Sequence, residues 1–306
     1  MFMFIEMLKL SRPRTWMFEI LSYAIGYLLA GGTFSVIVMT GFIIYILWVC
    51  GVNLINAYTD IKEDKINLPH RYKIIKRVGF KKFLYVSLLL FALTALVASF
   101  MPLWFLITYL IAVFIAIFYS MPPLRFKSRS IIGMIVFCTP VLFPLIGAWS
   151  LFNSINSIPT IIFFLGYWFI TYGTIKNLPD YDGDKKIGIK NSATMFSTRK
   201  KAIVFAVILL LSPFLILPFL ILFNFIELKF LLLFLWLPLI SLICFKALKA
   251  KKFEALEKLH TYGLVYAVGF LSLTLLIVSL TLYSLIFLVL SIFFLFLILK
   301  TRFDSR

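Results

Sequence analysis

Apolar runs of the length that crosses a bilayer, about 20 residues, recur from one end of this chain to the other, and each is continuous rather than alternating. Continuity excludes barrel strands, whose side chains switch between lipid and lumen at every second residue. Helices remain, because in hydrocarbon every backbone polar group must be satisfied within its own segment. The runs lie near 15–31, 34–57, 82–100, 102–119, 131–150, 159–177, 201–222, 229–247, 262–281 and 283–299. The last two abut at Thr281–Ser284 with no Gly or Pro between them. The expected fold is therefore an all-α, polytopic membrane bundle of nine core transmembrane helices around a central cavity, with a tenth if that junction turns. Of the 306 residues 63% are hydrophobic and only 14% charged, which leaves too little polar sequence for an aqueous surface or a separate soluble domain. The chain reads as a single transmembrane domain, 1–306.

Two features at the ends of the runs need an explicit reading. Lys9, Arg12 and Arg14 before an apolar run imitate a signal peptide, but Glu19 interrupts the run and no small-residue cleavage site follows, so the run is taken as the first span. Cys50, Cys138 and Cys244 all fall inside apolar runs without paired spacing, which supports neither disulfides nor a thiolate metal site. His70 and His260 have no second ligand at metal spacing and read as loop residues.

The cations set the expected orientation. With ten spans, 29 of the 30 Lys and Arg residues fall on one side, and Lys229 alone borders the other. By the positive-inside rule the rich side is cytoplasmic, with both termini on it. The same distribution accounts for the net charge of +18 without any nucleic-acid partner.

Half of the 12 acidic residues occupy two stretches on that side. The first, after the second span, holds Asn56, Asp60, Glu63 and Asp64; the second, after the sixth, holds Asp180, Asp182 and Asp184. If the second helix runs through its stretch, Asn56, Asp60 and Asp64 share one face at four-residue spacing. Asp180 and Asp184 repeat that spacing, while Glu63 and Asp182 point away from the pairs, so their neutral variants are expected to lose less. Like charges one turn apart repel unless a cation lies between them, and oxygen-only donors suit Mg2+. Because the two stretches follow matched spans, a parallel four-span repeat would let the pairs face each other. Arg71, Arg125, Lys127, Lys185 and Lys186 stand in the same loops, and carboxylates for Mg2+ beside cations for oxyanions are the equipment for a diphosphate.

These residues resemble the UbiA superfamily of intramembrane prenyltransferases. Asn56, Asp60 and Asp64 fit its N-D-x-x-D-x-x-x-D signature, with Ala57 at the usual second Asp. Ile66-Asn67-Leu-Pro69-His-Arg71 looks like I-N-x-P-x-R, followed by Tyr72 where Pro is common. Tyr119-Ser120-x-Pro122-Pro123-x-Arg125-x-Lys127 looks like Y-S-x-P-P-x-R-x-K. Lys176 to Gly188 resembles K-D-x-P-D-x-E-G-D-x-x-x-G, with Asn177 replacing an Asp, and Arg12-Pro13 matches the family's opening R-P. The motifs lie in loops 56–82, 119–130 and 177–200, and the resemblance runs from about residue 9 to 195.

The resemblance implies Mg2+-dependent transfer of a polyprenyl group, of geranylgeranyl type from the I-N-x-P-x-R and Y-S-x-P-P strings, from its diphosphate to a hydrophobic or aromatic acceptor. The acceptors expected first are an aromatic quinone precursor or a prenylated glycerol-phosphate lipid. It casts Asn56, Asp60, Asp64, Asp180 and Asp184 as metal ligands, and the four aspartates with Tyr119 as the catalytic set. Asn56, Arg71, Arg125, Lys127 and Lys185 would bind the diphosphate. Tyr58, Trp168 and Tyr172, with Tyr119, are candidates to stabilise the departing allyl cation through their ring faces. The alternative is a transporter with a cytoplasmic-side cation site. It fits less well, since transporters place ionisable groups near the midplane and these spans carry little internal charge besides Glu19.

Overall fold

The computed structural model describes residues 2–250 and 253–301, so Lys251, Lys252, Arg302 and Arg306 of the cation tally and the C-terminal Ser305 lie outside the described residues. In chain order the helices are α1 (Phe2–Leu10), α2 (Trp16–Leu29), α3 (Val36–Thr59), α4 (Ile61–Asn67), α5 (Pro69–Val78), α6 (Phe80–Ala98), α7 (Leu103–Ser120) and α8 (Ser130–Val136). They continue as α9 (Thr139–Trp149), α10 (Thr160–Lys176), α11 (Tyr181–Lys186), α12 (Arg199–Leu222), α13 (Leu237–Lys249), α14 (Phe253–Val278) and α15 (Leu282–Thr301). Among the described residues there is no strand, only a lone bridge between Arg129 and Lys190. Among the described residues seven helical stretches are long and apolar enough to cross a membrane: 36–59, 80–98, 103–120, 130–149, 199–222, 228–249 and 253–278. The other three expected runs are also helical, as α2 of 14 residues, α10 of 17 and α15.

The breaks have local causes. The run near 229–247 is not a uniform helix: residues 228–236 wind as a 3-10 segment and α13 begins only at Leu237, with Pro238 in its first turn. Proline has no N–H to continue the ladder from behind but suits the first turn of a new helix. The Thr281–Ser284 junction does turn. Thr281 N–H donates to Ser284 Oγ at 2.9 Å and Ser284 N–H donates to Thr281 Oγ1 at 3.3 Å, a reciprocal cap that opens α15 without Gly or Pro. The histidines are corrected as well, since both lie on helices: His70 is exposed on α5 and His260 is buried on α14, which begins nine residues before the apolar run.

The chain gathers into two compact units. The first comprises Met1–Arg125, Thr139–Ile158 and Leu280–Arg306. Its core sets Tyr45 against Trp48, Phe105 and Tyr109 in edge-to-face contacts with centroids 5.8–6.2 Å apart. In lipid such contacts, rather than water exclusion, hold helices together, and small residues let backbones approach. Gly26 shows this, because a Cβ there would sit 2.3 Å from the Leu145 carbonyl oxygen of α9. Glu19 is buried on α2, and neither carboxyl oxygen has a hydrogen-bond partner among the described residues.

The second unit comprises Phe126–Cys138 and Pro159–Ser279. Trp168 of α10 is fully buried, stacks on Phe270 of α14 at 4.2 Å and donates its indole N–H to Tyr266 Oη at 2.8 Å. Phe137 stacks on Phe169 at 5.1 Å. α10 thus leads into the second acidic stretch from a rigid aromatic core.

Candidate active site

The first acidic stretch is built where α3 stops. The expected continuous helix through Asn56, Asp60 and Asp64 is interrupted: α3 ends at Thr59, and Asp60 at φ −93°, ψ 19° joins it to α4. Thr59 Oγ1 is shared between the Asn56 carbonyl oxygen, 3.2 Å, and Asp60 Oδ1, 2.8 Å, the kind of local side-chain bond that competes with helix. The four-residue register nevertheless survives, because Asp60 N–H donates to Asn56 O at 2.9 Å and Asp64 N–H to Asp60 O at 2.7 Å.

Around this junction the side chains are committed. Pro69 opens α5 and places Arg71 in its first turn. Arg71 is fully buried and its Nη1 donates to Asp64 Oδ1 at 3.2 Å. Its Nε and Nη2 are buried with no hydrogen-bond partner among the described residues, so two of the guanidinium's three nitrogens keep their N–H groups unspent. Glu63, expected to point away, is buried as well and accepts a charge-assisted bond from Arg125 Nη2. Arg125 adopts φ 39°, a left-handed conformation that costs a residue with a Cβ about 1–2 kcal/mol. Just before it, Ser120 Oγ donates to Asn56 Oδ1. Tyr119 is partly buried in the last turn of α7, and Tyr58 is packed on the apolar cluster of Leu10, Leu54, Ala57, Ile74 and Phe83.

The second unit repeats the construction. Asp180 sits at the N-cap of α11, and Asp184 N–H donates to Asp180 O at 2.9 Å. Asp184 is buried and its Oδ2 accepts from Asn191 Nδ2 at 2.7 Å. Asn191 is itself fixed, since its Oδ1 accepts the N–H groups of Ala193 at 2.9 Å and Thr194 at 3.0 Å. Arg71 follows Asp64, and Asn191 follows Asp184, by the same interval of 7 residues. Asp182 turns outward, its side chain 60% exposed and paired with Arg199. Lys185 donates to Ser197 O at 2.6 Å and Tyr181 Oη at 2.8 Å, which ties it to the following segment. Lys127 lies partly exposed in a 3-10 turn, Phe126–Ser128. Tyr172 is buried beside Phe169 at 5.3 Å, and Trp168 is spoken for by Tyr266 and Phe270.

Chemically, each unit offers two carboxylates one helical turn apart with at least one further donor holding the second aspartate. Among the described residues no three His, Cys, Asp or Glu side chains gather into a metal cluster. Two carboxylates still fit Mg2+, which is bound through one or two of them and completes its shell with water and substrate phosphate. The sequence reading missed Glu63 as the partner of Arg125, Ser120 as the partner of Asn56, and Asn191. Only the last had a readable signal, the interval already carried by Asp64 and Arg71.

The chain is similar to several known proteins over most of its length. Digeranylgeranylglyceryl phosphate synthase of Methanosphaera stadtmanae is 24% identical over 245 residues, covering 79% of this chain and 86% of that protein. The protein of that name from Methanococcus aeolicus is 28% identical over 192 residues, 60% of this chain and 65% of its own. A UbiA homolog from Archaeoglobus fulgidus, solved bound to GPP and Mg2+, superposes with a TM-score of 0.61 at 19% identity, covering 95% of this chain and 99% of that one. An apo UbiA homolog from Aeropyrum pernix gives 0.62 at 16% identity, covering 85% and 96%. The model of the UbiA prenyltransferase family matches residues 20–262, and the chain, a multi-pass membrane prenyltransferase, belongs to that family.

Proposed function

We propose that the protein transfers a geranylgeranyl-type chain from its diphosphate to a glycerol-phosphate lipid within the membrane. The observation that carries the reading is the aspartate pair built twice, each at the end of a membrane helix and each with its second member buried and hydrogen-bonded. The acceptor follows the names of the similar synthases, which favour a glycerol-phosphate lipid over an aromatic quinone precursor. Membership in a prenyltransferase family leaves the transporter alternative without support.

Asp60, Asp64, Asp180 and Asp184, with Asn56, would hold Mg2+, which supplies charge neutralisation of the diphosphate as a leaving group. Each pair would hold metal against diphosphate oxygens, with the polyprenyl tail among the helices and open to lipid. The unspent Nε and Nη2 of Arg71 suit phosphate oxygens, and Lys127 adds a second cation. Tyr119, partly buried in the last turn of α7 six residues before Arg125, would offer its ring face to the allyl cation. The cation-rich side, and with it the site, faces the cytoplasm.

The test is product analysis by mass spectrometry of purified protein given geranyl, farnesyl and geranylgeranyl diphosphates against geranylgeranylglyceryl phosphate and an aromatic acid acceptor. The expected product is the doubly geranylgeranylated glycerol phosphate, formed only with divalent metal. Prenylation of the aromatic acid alone would overturn the acceptor, and no product from any pair would overturn the transfer.

A further inference from the structure

The segment from the end of α7 to the start of α8 carries Tyr119, Arg125 and Lys127, yet has little secondary structure to hold it. Up to Arg125 its backbone bonds are local, Met121 N–H to Ile117 O at 3.0 Å and Arg125 N–H to Met121 O at 2.9 Å, while at its far end Ser130 N–H donates to Lys190 O at 2.8 Å. Two side-chain bonds tie its first half, Ser120 to Arg125, to the aspartate junction. Ser120 Oγ reaches Asn56 at the end of α3, and Arg125 Nη2 reaches Glu63 on α4, contacts that span 64 and 62 residues of sequence. Asn56 and Glu63 lie on either side of Asp60, so the pair of pins lays this stretch along the first aspartate. Of the two, only the Glu63 pin is an ion pair, and its carboxylate is buried, where charge pairing is screened least.

We propose that Glu63 is a positioning residue: its ion pair with Arg125 clamps the turn 121–125 onto α4 and so fixes where that turn presents Arg125 to the prenyl diphosphate. Glu63 neither touches substrate nor belongs to the repeated aspartate pairs, and it has no counterpart in the second stretch, where Gly183 precedes Asp184. The catalytic part of the inference rests on the proposed transfer reaction; the clamp itself does not.

The experiment uses full-length protein in lipid nanodiscs and two independent readouts. Trypsin cleavage after Lys127 reports the order of the segment, and steady-state kinetics with geranylgeranyl diphosphate and geranylgeranylglyceryl phosphate report its effect. Glu63→Gln should speed cleavage several-fold and raise KM for the diphosphate by about tenfold while kcat moves far less, the pattern of lost substrate binding rather than lost chemistry. Glu63→Asp, which keeps the charge, should recover most of both. The double reversal Glu63→Arg with Arg125→Glu should restore slow cleavage even if turnover stays low. Unchanged cleavage in Glu63→Gln, or a double reversal cleaved as fast as the single variants, would overturn the clamp. Faster cleavage with unchanged KM would overturn its positioning role. Absence of transfer by the wild-type protein would overturn the reaction, and the clamp would then stand or fall on the cleavage rates alone.

Discussion

At the residue scale, the acidic side chains separate by burial and partner. Asp184 is buried and held by Asn191, while Asp182, two positions earlier, is exposed and paired with Arg199. Asp180→Asn and Asp184→Asn should each lower kcat/KM by about 100-fold or more if they act on the transition-state charge, whereas Asp182→Asn should stay within the few tenths of a kcal/mol usual for exposed pairs. Equal losses in all three, measured by product formation at saturating Mg2+, would remove the distinction. The four-residue spacing of these aspartates is legible in the sequence because it needs only helical geometry. What is not legible is the partner of each carboxylate, which depends on where a chain segment dozens of residues away returns. Asp64 shows the consequence. From charge alone, loss of one among several repelling carboxylates should leave folding intact, but Asp64 compensates a fully buried guanidinium. Breaking a buried pair by removing one member typically costs about 3–5 kcal/mol. Asp64→Asn should therefore unfold at a visibly lower temperature in detergent than Asp60→Asn, and equal melting of the two would show that Arg71 finds another anion.

At the element scale, hydropathy locates every expected span on a helix but misjudges continuity. A helix can stop inside an apolar or acidic run when a side chain offers the backbone a competing bond or a proline withholds one, and Thr59 at Asp60, Pro238 at α13 and Thr281 at α15 are three such cases. Pro238 is visible as a breaker in the sequence. The Thr281–Ser284 cap is visible only as two hydroxyl residues three apart, a spacing common enough by chance to carry little weight until both reciprocal bonds are seen. Removing that cap tests its part. Thr281→Ala should cost about 1 kcal/mol, read as lower thermal stability of the detergent-solubilised protein without change in its Mg2+ requirement. An unchanged melting temperature would mean that packing of α15, through the Trp16–Phe294 stack, holds the turn alone.

At the scale of the whole molecule, the arrangement is a matter of which side of the bilayer each element's end reaches, and the cations decide it. On the positive-inside reading each aspartate stretch follows a span that enters the cation-rich side. Stretches on opposite sides would require an odd number of spans from the first stretch to the second. From the first stretch to the second the chain runs through α6, α7, the α8–α9 span and α10, an even number, so the positive-inside rule predicts that both stretches reach the same side. Lys229, at the start of the 3-10 segment, then lies on the opposite face from Lys186 at the end of α11, separated by α12. The native cysteines give little background, since Cys138 and Cys244 are buried and Cys50 is partly so. Single cysteines replacing Lys229 and Lys186 should therefore react with a membrane-impermeant maleimide from opposite sides of sealed, oriented vesicles: Lys186 from the cytoplasmic side, Lys229 only from the other or after permeabilisation. Labelling of both from one side would mean that α12, with Pro213 and Pro218 inside it, re-enters rather than spans, and the positive-inside assignment would lose its one exception and its internal check together.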